Sequence, residues 1–337
     1  MNLMPGPPRE GVRMKIVFLG SAAFGIPALQ AISQSHHTLA GVFTQPARLA
    51  GRHRVPKPTD VAQWCAVRHL PCIEAADIND PQMQQRVAAC GGDLLVVIAF
   101  GQKISPEIIN LHRFGAINVH ASLLPKYRGA APIQWALMNG ETTTGVSIIT
   151  LAQRMDAGRI LAQQRVSVLP DDTFETLHDK LAALSVPLLM DTIEAIETGR
   201  AVYLEQDESQ ATQAPRLKKK HGYIDWSRSA QEIVNQIRAL SPWPGAQSVY
   251  VSSRTGRSWR VTIGKAEALE QANTPADIPG CLDEHLNVIC GKDRLRILEI
   301  KPAGSDSMSF EAFARGRNTQ PGDLFLPIER VLQGLGL

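Results

Sequence analysis

Cysteine is scarce in this 337-residue chain and badly placed for cross-linking. The five cysteines, Cys65, Cys72, Cys90, Cys281 and Cys290, are odd in number and form no CxxC pair or Cys/His cluster. That excludes a disulfide framework and a zinc ribbon, and it fits reduced thiols in a cytoplasmic protein. Long apolar runs are also missing: no stretch reaches the roughly 20 residues a membrane span requires. One-signed charge is lacking too, since the net charge is +3. A chain-wide basic field is thereby excluded, and any nucleic-acid contact needs a local patch. The nine histidines show no HxxxH or HExxH spacing, so no metal site is expected. Residues 1–13, MNLMPGPPREGVR, are too polar and too rich in Pro and Gly for a secretory signal. They are expected to be a flexible extension, with the fold starting at Met14.

What is present fits a globular chain, with 44% hydrophobic and 20% charged residues. Its length suits two domains. MKIVFLG (Met14–Gly20) reads as a buried parallel strand, and the helical pattern after it starts near Pro27. Gly20 to Gly25 is not GxGxxG, so the architecture of a nucleotide fold is expected without a dinucleotide. A second strand ends near Gln45 and leads into a long cationic loop over residues 46–59, with Arg48, Arg52, Arg54 and Lys57. Such loops are either functional or plainly solvated. Helical spacing over Asp60–Leu70 precedes a short edge strand starting at Pro71 and a helix closed by Gly91–Gly92. DLLVVIAFGQ (Asp93–Gln102) is the most apolar strand. The alternation argues an open, mostly parallel α/β sheet of Rossmann-like type, whose ligands bind beyond the carboxyl ends of the strands.

The stretch with most chemistry is AINVHASLLPKYRGAAP (Ala116–Pro132). Asn118 and His120 are two apart, so on a strand they share a face. Together they offer hydrogen-bond donors and a group that titrates near neutrality, suited to a carbonyl that becomes an oxyanion. A satisfied core histidine is the plainer alternative. Ser122 raises a serine hydrolase, but its flanks are AxS rather than GxSxG. Amine acyl transfer without a covalent intermediate fits better. It needs a carboxylate near the imidazole, which favours the cationic form and relays protons. Asp156, in a turn after the strand Thr142–Ala152, is the candidate, expected to be carried close by a parallel pairing. Spacing alone favours a plainer role for Asp156, as turn-former before Ala157–Gly158. Beyond it come a strand to Val168 and a helical stretch, Asp171–Gly199, capped by Asp171 or Asp172 and broken or bent at Pro187.

Gln206–Tyr223 is polar and aperiodic and reads as a linker with a basic run, Arg216 and Lys218–Lys220. A helix capped near Ser227 or Ser229 follows. Short strands from Gln247 onward suggest a small barrel or sandwich, with a short helix at Ser309–Gly316.

The N-x-H…SLLP…YRGAAPIQ run with its downstream D-x-G turn resembles the folate-dependent formyltransferase family. The likeness extends to FTQP…R…AGR (Phe43–Arg52), VIAFGQ (Val97–Gln102), QDES…AP.L (Gln206–Leu217), IDWS (Ile224–Ser227) and IRAL.PWPGA (Ile237–Ala246). The last three are expected to lie outside the catalytic domain, which points to the branch of the family whose acceptor is initiator methionyl-tRNA. A small-molecule amine, such as an amino-sugar nucleotide or glycinamide ribonucleotide, is the alternative acceptor. The resemblance implies a catalytic domain over residues 14–203, a basic linker over 204–221 and an OB-like β-barrel over 222–337 that binds tRNA. It implies 10-formyltetrahydrofolate as co-substrate and a monomer as the working state. By the same resemblance Asn118, His120 and Asp156 are the catalytic trio. Ser122, Leu123, Leu124, Pro125, Phe100 and Gly101 would line the folate site, and Arg48, Arg52, Lys218, Lys219 and Lys220 would meet tRNA. The chain departs from the family pattern at Ala47, Leu49 and Arg159.

Overall fold

The computed structural model describes residues 13–50 and 55–328. The flexible extension expected before Met14 thus falls almost wholly outside the described residues. Two compact units result. Among the described residues, the first gathers those up to 128 with 145–166 and 179–212, and the second takes 129–144, 167–178 and those from 213 on.

In chain order, β1 (Lys15–Gly20), α1 (Ile26–Gln34) and β2 (Thr38–Thr44) open the first unit. Two short strands, β3 (Arg48–Ala50) and β4 (Val55–Lys57), are followed by α2 (Asp60–Val67), β5 (Ile73–Glu74), α3 (Pro81–Ala89) and β6 (Leu94–Ile98). Then come α4 (Pro106–Asn110), β7 (Ala116–His120), α5 (Pro132–Met138), β8 (Thr143–Thr150), β9 (Ile160–Ser167) and α6 (Phe174–Glu197). The seven-stranded sheet has the order β5-β2-β1-β6-β7-β8-β9. Pairings from β5 to β7 are parallel, and β8 runs antiparallel to β7. Strands β1 and β6 sit mid-sheet because IVFLG and LLVVI are apolar on both faces, and every one of those residues is buried.

Three local expectations are corrected. Within the loop expected over 46–59, Arg48–Ala50 and Val55–Lys57 are strands that pair antiparallel, Arg48 opposite Lys57. Three-residue strands are too short to show alternation in sequence. Helix α6 passes through Pro187 unbroken. Its buried Leu181, Ala182, Leu189, Ile193 and Ile196 outweigh the roughly 3 kcal/mol that an interior proline costs. The capping bond at its start falls one residue later than expected: Thr173 Oγ1 accepts from the Thr176 amide at 3.3 Å. Asp172 instead accepts from the Thr176 hydroxyl at 2.9 Å.

The second unit holds α7 (Ala230–Leu240), β10 (Ala246–Val251), β11 (Ser258–Leu269), β12 (Val288–Ile289), β13 (Arg294–Pro302), β14 (Met308–Ser309), α8 (Phe310–Arg317) and β15 (Leu324–Leu326). Its sheet runs β12-β13-β11-β10-β15, with β14 beside β13, all antiparallel and barrel-like. Trp226, Tyr250, Phe313 and Phe325 fill its core. Helix α7 starts at Ser229, whose hydroxyl meets the Glu232 amide while the Glu232 carboxylate accepts from the Ser229 amide. Helix α5 belongs to this unit and packs against α7.

Candidate active site

Strand β7 ends at His120, beside the end of β6, with Val97 opposite Asn118. Period-two geometry puts Asn118 and His120 on one face and the buried Ile117 and Val119 on the other. Asn118 is half-buried, whereas His120 is 6% exposed. His120 Nε2 lies 2.9 Å from the Tyr127 carbonyl oxygen. A carbonyl can only accept, so Nε2 carries a proton and Nδ1 is the nitrogen left to gain or lose one. Nδ1 is 3.6 Å from Asp156 Oδ2. Asp156 is 14% exposed, so the pair is sheltered but not sealed.

Asp156 arrives by a route different from the parallel pairing expected. Because β8 is antiparallel to β7, the loop over 151–159 has to fold back toward His120. Two residues make that possible. Asp156 has φ = 53°, a left-handed conformation that Asp tolerates better than most. At Gly158 any Cβ would stand 1.7 Å from the Thr150 carbonyl oxygen, so only glycine fits. Bonds from the Thr150 amide to Arg159 O (2.9 Å) and from the Arg159 amide to Thr150 Oγ1 (3.0 Å) close the loop. Asp156 thus forms the turn and also brings its carboxylate within 3.6 Å of His120 Nδ1.

The segment after β7 is tightly held. Ser122 is fully buried and its hydroxyl donates to Lys126 O at 2.6 Å, which disposes of a serine nucleophile. The Leu124 amide donates to Ser147 Oγ (3.0 Å) and its carbonyl accepts from Gln163 (2.8 Å), while its side chain packs on Ile149 and Ile160. Leu123 and Pro125 stay half-exposed. At the end of β6 the Phe100 ring is buried, and its carbonyl accepts from Gln45 Nε2 (2.7 Å) and Ser21 Oγ (3.1 Å). Gly101 is exposed with φ = 81°. Leu123, Pro125 and Gly101 thus offer surface, while Ser122, Leu124 and Phe100 shape the backbone.

Arg48 is exposed on β3 and donates to Gln45 Oε1. Arg52 lies outside the described residues. Lys218, Lys219 and Lys220 are exposed around a 3-10 turn at Lys219–Gly222. Beside them His221 is pushed below its ordinary range by burial and then by Lys220 and Lys218.

Sequence reasoning missed three residues around the loop that carries Asp156. Arg128, 2% exposed, Gln206 and Glu208 join the loop through hydrogen bonds. Residues 206–212, read from sequence as linker, belong to the first unit. The only signal was the QDES run, which has no periodicity to place it. Elsewhere, His36, His37 and Glu197 hold possible metal-ligand atoms within 4.8 Å of one another, at the α1–β2 turn and the end of α6.

Residues 14–193 match the formyl transferase family model and residues 216–318 that of the formyl transferase C-terminal domain. The chain belongs to the formyltransferase family. Among its relatives is the methionyl-tRNA formyltransferase of Trichlorobacter lovleyi, 39% identical over 94% of this chain and 98% of that protein. That of Methylococcus capsulatus is 37% identical over 89% and 96%. Solved structures share the fold at lower identity. The sugar 3N-formyl transferase WlaRD, crystallised with dTDP and 5-N-formyl-THF, superposes with a TM-score of 0.60 at 17% identity, over 88% of this chain and 100% of that one. HypX from Aquifex aeolicus, in complex with tetrahydrofolic acid, gives 0.55 at 17%, over 90% and 47%.

Proposed function

We propose that this chain is a methionyl-tRNA formyltransferase, moving the formyl group of 10-formyltetrahydrofolate to the α-amino group of methionine on initiator tRNA. The observation that carries the chemistry is the His120 Nδ1–Asp156 Oδ2 approach of 3.6 Å at the end of β7, the strand that also carries Asn118. The acceptor follows from the near full-length likeness to enzymes of that name, including the C-terminal domain. No described helix is long and apolar enough to cross a membrane, and all five cysteines are free, which suits work in the cytoplasm.

The amine nitrogen attacks the formyl carbon, forming the new C–N bond while the carbonyl becomes an oxyanion. The Asn118 amide and the Nδ1–H of cationic His120 donate to that oxygen. Asp156 takes the proton lost by the amine, directly or through one water. Collapse of the intermediate breaks the bond to the folate N10, which receives a proton from the His120–Asp156 pair, so amine and folate exchange one proton overall. Leu123, Pro125 and Gly101 would flank the folate, with Ser122, Leu124 and Phe100 setting the backbone around it. Arg48, Arg52 and Lys218–Lys220 would contact tRNA phosphates, which position the substrate without reading its sequence.

The deciding assay is formylation of charged initiator tRNA beside charged elongator tRNA. Transfer to the initiator, at a rate that falls as salt rises, is expected. Transfer to an amino-sugar nucleotide or glycinamide ribonucleotide, with methionyl-tRNA untouched, would overturn the assignment.

A further inference from the structure

The catalytic carboxylate sits on a loop whose backbone is held from a segment far along the chain. Gln206 Nε2 donates to two carbonyls of that loop, Asp156 O at 2.8 Å and Gly158 O at 2.7 Å. Its two amide protons are thereby both used. Gln206 Oε1 accepts from Arg128 Nε (3.1 Å) and Nη2 (2.7 Å). The amide can point only one way, because reversal would aim its NH2 at a guanidinium and its oxygen at two carbonyls. Arg128 is 2% exposed and spends its other donors on Glu208, Nη1 to Oε2 at 3.1 Å and Nη2 to Oε1 at 2.8 Å. Glu208 accepts a further bond from Arg154 Nη2 at 3.0 Å, and Arg154 lies on the same loop as Asp156. Arg128 also directly follows Tyr127, whose carbonyl holds His120 Nε2.

One buried guanidinium therefore anchors both partners. It fixes the segment that orients the imidazole and, through Gln206 and Glu208, the loop that brings the carboxylate. Asp156 has a left-handed backbone, which does not keep itself in place without such a restraint. We infer that Arg128, Gln206 and Glu208 form a positioning clamp that sets the distance between His120 and Asp156. The three act only through those two residues. The inference rests on the catalytic assignment of His120 and Asp156 made above.

The test uses the full chain. Gln206→Ala removes the clamp, and Gln206→Glu keeps its size but replaces the donor with an acceptor that repels both carbonyls. Both variants should lose about 10²-fold in kcat, as an ångström-scale misplacement does, with KM for tRNA and folate little changed. In an Asp156→Asn background the same substitutions should add almost no further loss, since the group they position is already gone. Arg128→Lys, which cannot fork between Gln206 and Glu208, should follow the same pattern. A general folding defect would instead add in full to Asp156→Asn and lower the melting temperature with KM. Wild-type kcat in Gln206→Glu, or full additivity with Asp156→Asn, overturns the inference. A separate readout needs no acceptor: the ring nitrogen resonances of His120 should move the same way in Gln206→Glu and Asp156→Asn. Unmoved resonances in Gln206→Glu would sink the clamp even if the enzyme proved to use another amine, whereas failure to formylate methionyl-tRNA with coincident resonance shifts would sink only the acceptor.

Discussion

The imidazole of His120 is constrained at one nitrogen and available at the other, and the prediction at this scale follows from that asymmetry. His120→Ala and Asp156→Asn should each lower kcat on the order of 10²–10³-fold, the loss seen when one oxyanion donor is removed. Folate affinity, measured by fluorescence titration, should stay close to wild type. Near-normal turnover in either variant would reject the roles given to them. A different residue pair, Tyr250 and Asp323, contributes to stability in the second unit. Asp323 is fully buried, and burial pushes its carboxyl up, yet hydrogen bonds from Tyr250, Gln320 and Ser253 hold it below its ordinary value. A carboxyl depressed in the folded state stabilises above its unfolded pKa of about 4 and loses that contribution as pH falls below it. Tyr250→Phe should accordingly cost about 1.5–3 kcal/mol at pH 7, as for a bond to a charged group, and less at pH 3, read by urea unfolding at both. Of the residues proposed to act in transfer, Asn118 and His120 were legible because alternation fixes their shared face on one strand. Asp156 was not legible from spacing, since its approach depends on a left-handed turn and on a bare Gly158 against Thr150 O. Arg128 and Gln206 fell within the YRGAAPIQ and QDES runs, but their hydrogen bonds were not legible, because a bond between residues far apart in the chain leaves no local pattern.

Capping chemistry was the most readable feature among the elements. Ser229 and Glu232 form the reciprocal box that S-x-x-E announces. Glu232 is held down to about 2 from its ordinary 4.5, first by the Ser229 hydroxyl and then by Arg228. Its contribution is therefore complete above pH 4.5 and fades as pH drops toward 2. Ser229→Ala should cost about 1 kcal/mol near neutrality, measured by chemical denaturation, and less at pH 3. Helix α6 shows where local rules mislead: Pro187 signals a break, and a deeply buried face overrides it. The β3–β4 ladder was missed for the opposite reason, since Pro, Gly and basic residues mask two three-residue strands.

At the scale of the molecule, exposed lysines and the tangled division of the chain matter most. If Lys218, Lys219 and Lys220 neutralise phosphates, replacing each with Ala should flatten the salt dependence of tRNA binding by about one unit of slope per lysine removed. Filter binding at several potassium concentrations checks this. Truncation is a poorer tool. Removing residues from 213 onward strips α5 of α7, against which it packs, and takes away Arg238, whose guanidinium donates to Leu169 O (3.0 Å) and Asp172 O (3.2 Å). The shortened chain should aggregate on expression, which is read by its soluble fraction. The two-part architecture was legible, because strand–helix alternation gives way to short strands alone. The passage of residues 129–144 and 167–178 into the second unit was not, since periodicity tells a helix which face to bury and never which partner will cover it.

That passage bears on how the protein is born. A ribosome delivers residues from one end, yet neither half of this fold is available in one continuous length. The sheet-bearing half lacks its last stretch, with the glutamine that donates to the Asp156 carbonyl, until residue 212 has been made. The barrel-bearing half must keep an early helix waiting for a companion synthesised about a hundred residues later. The nascent chain consequently completes neither half early, and the turn carrying Asp156 goes without its Gln206 hydrogen bonds until synthesis is well advanced.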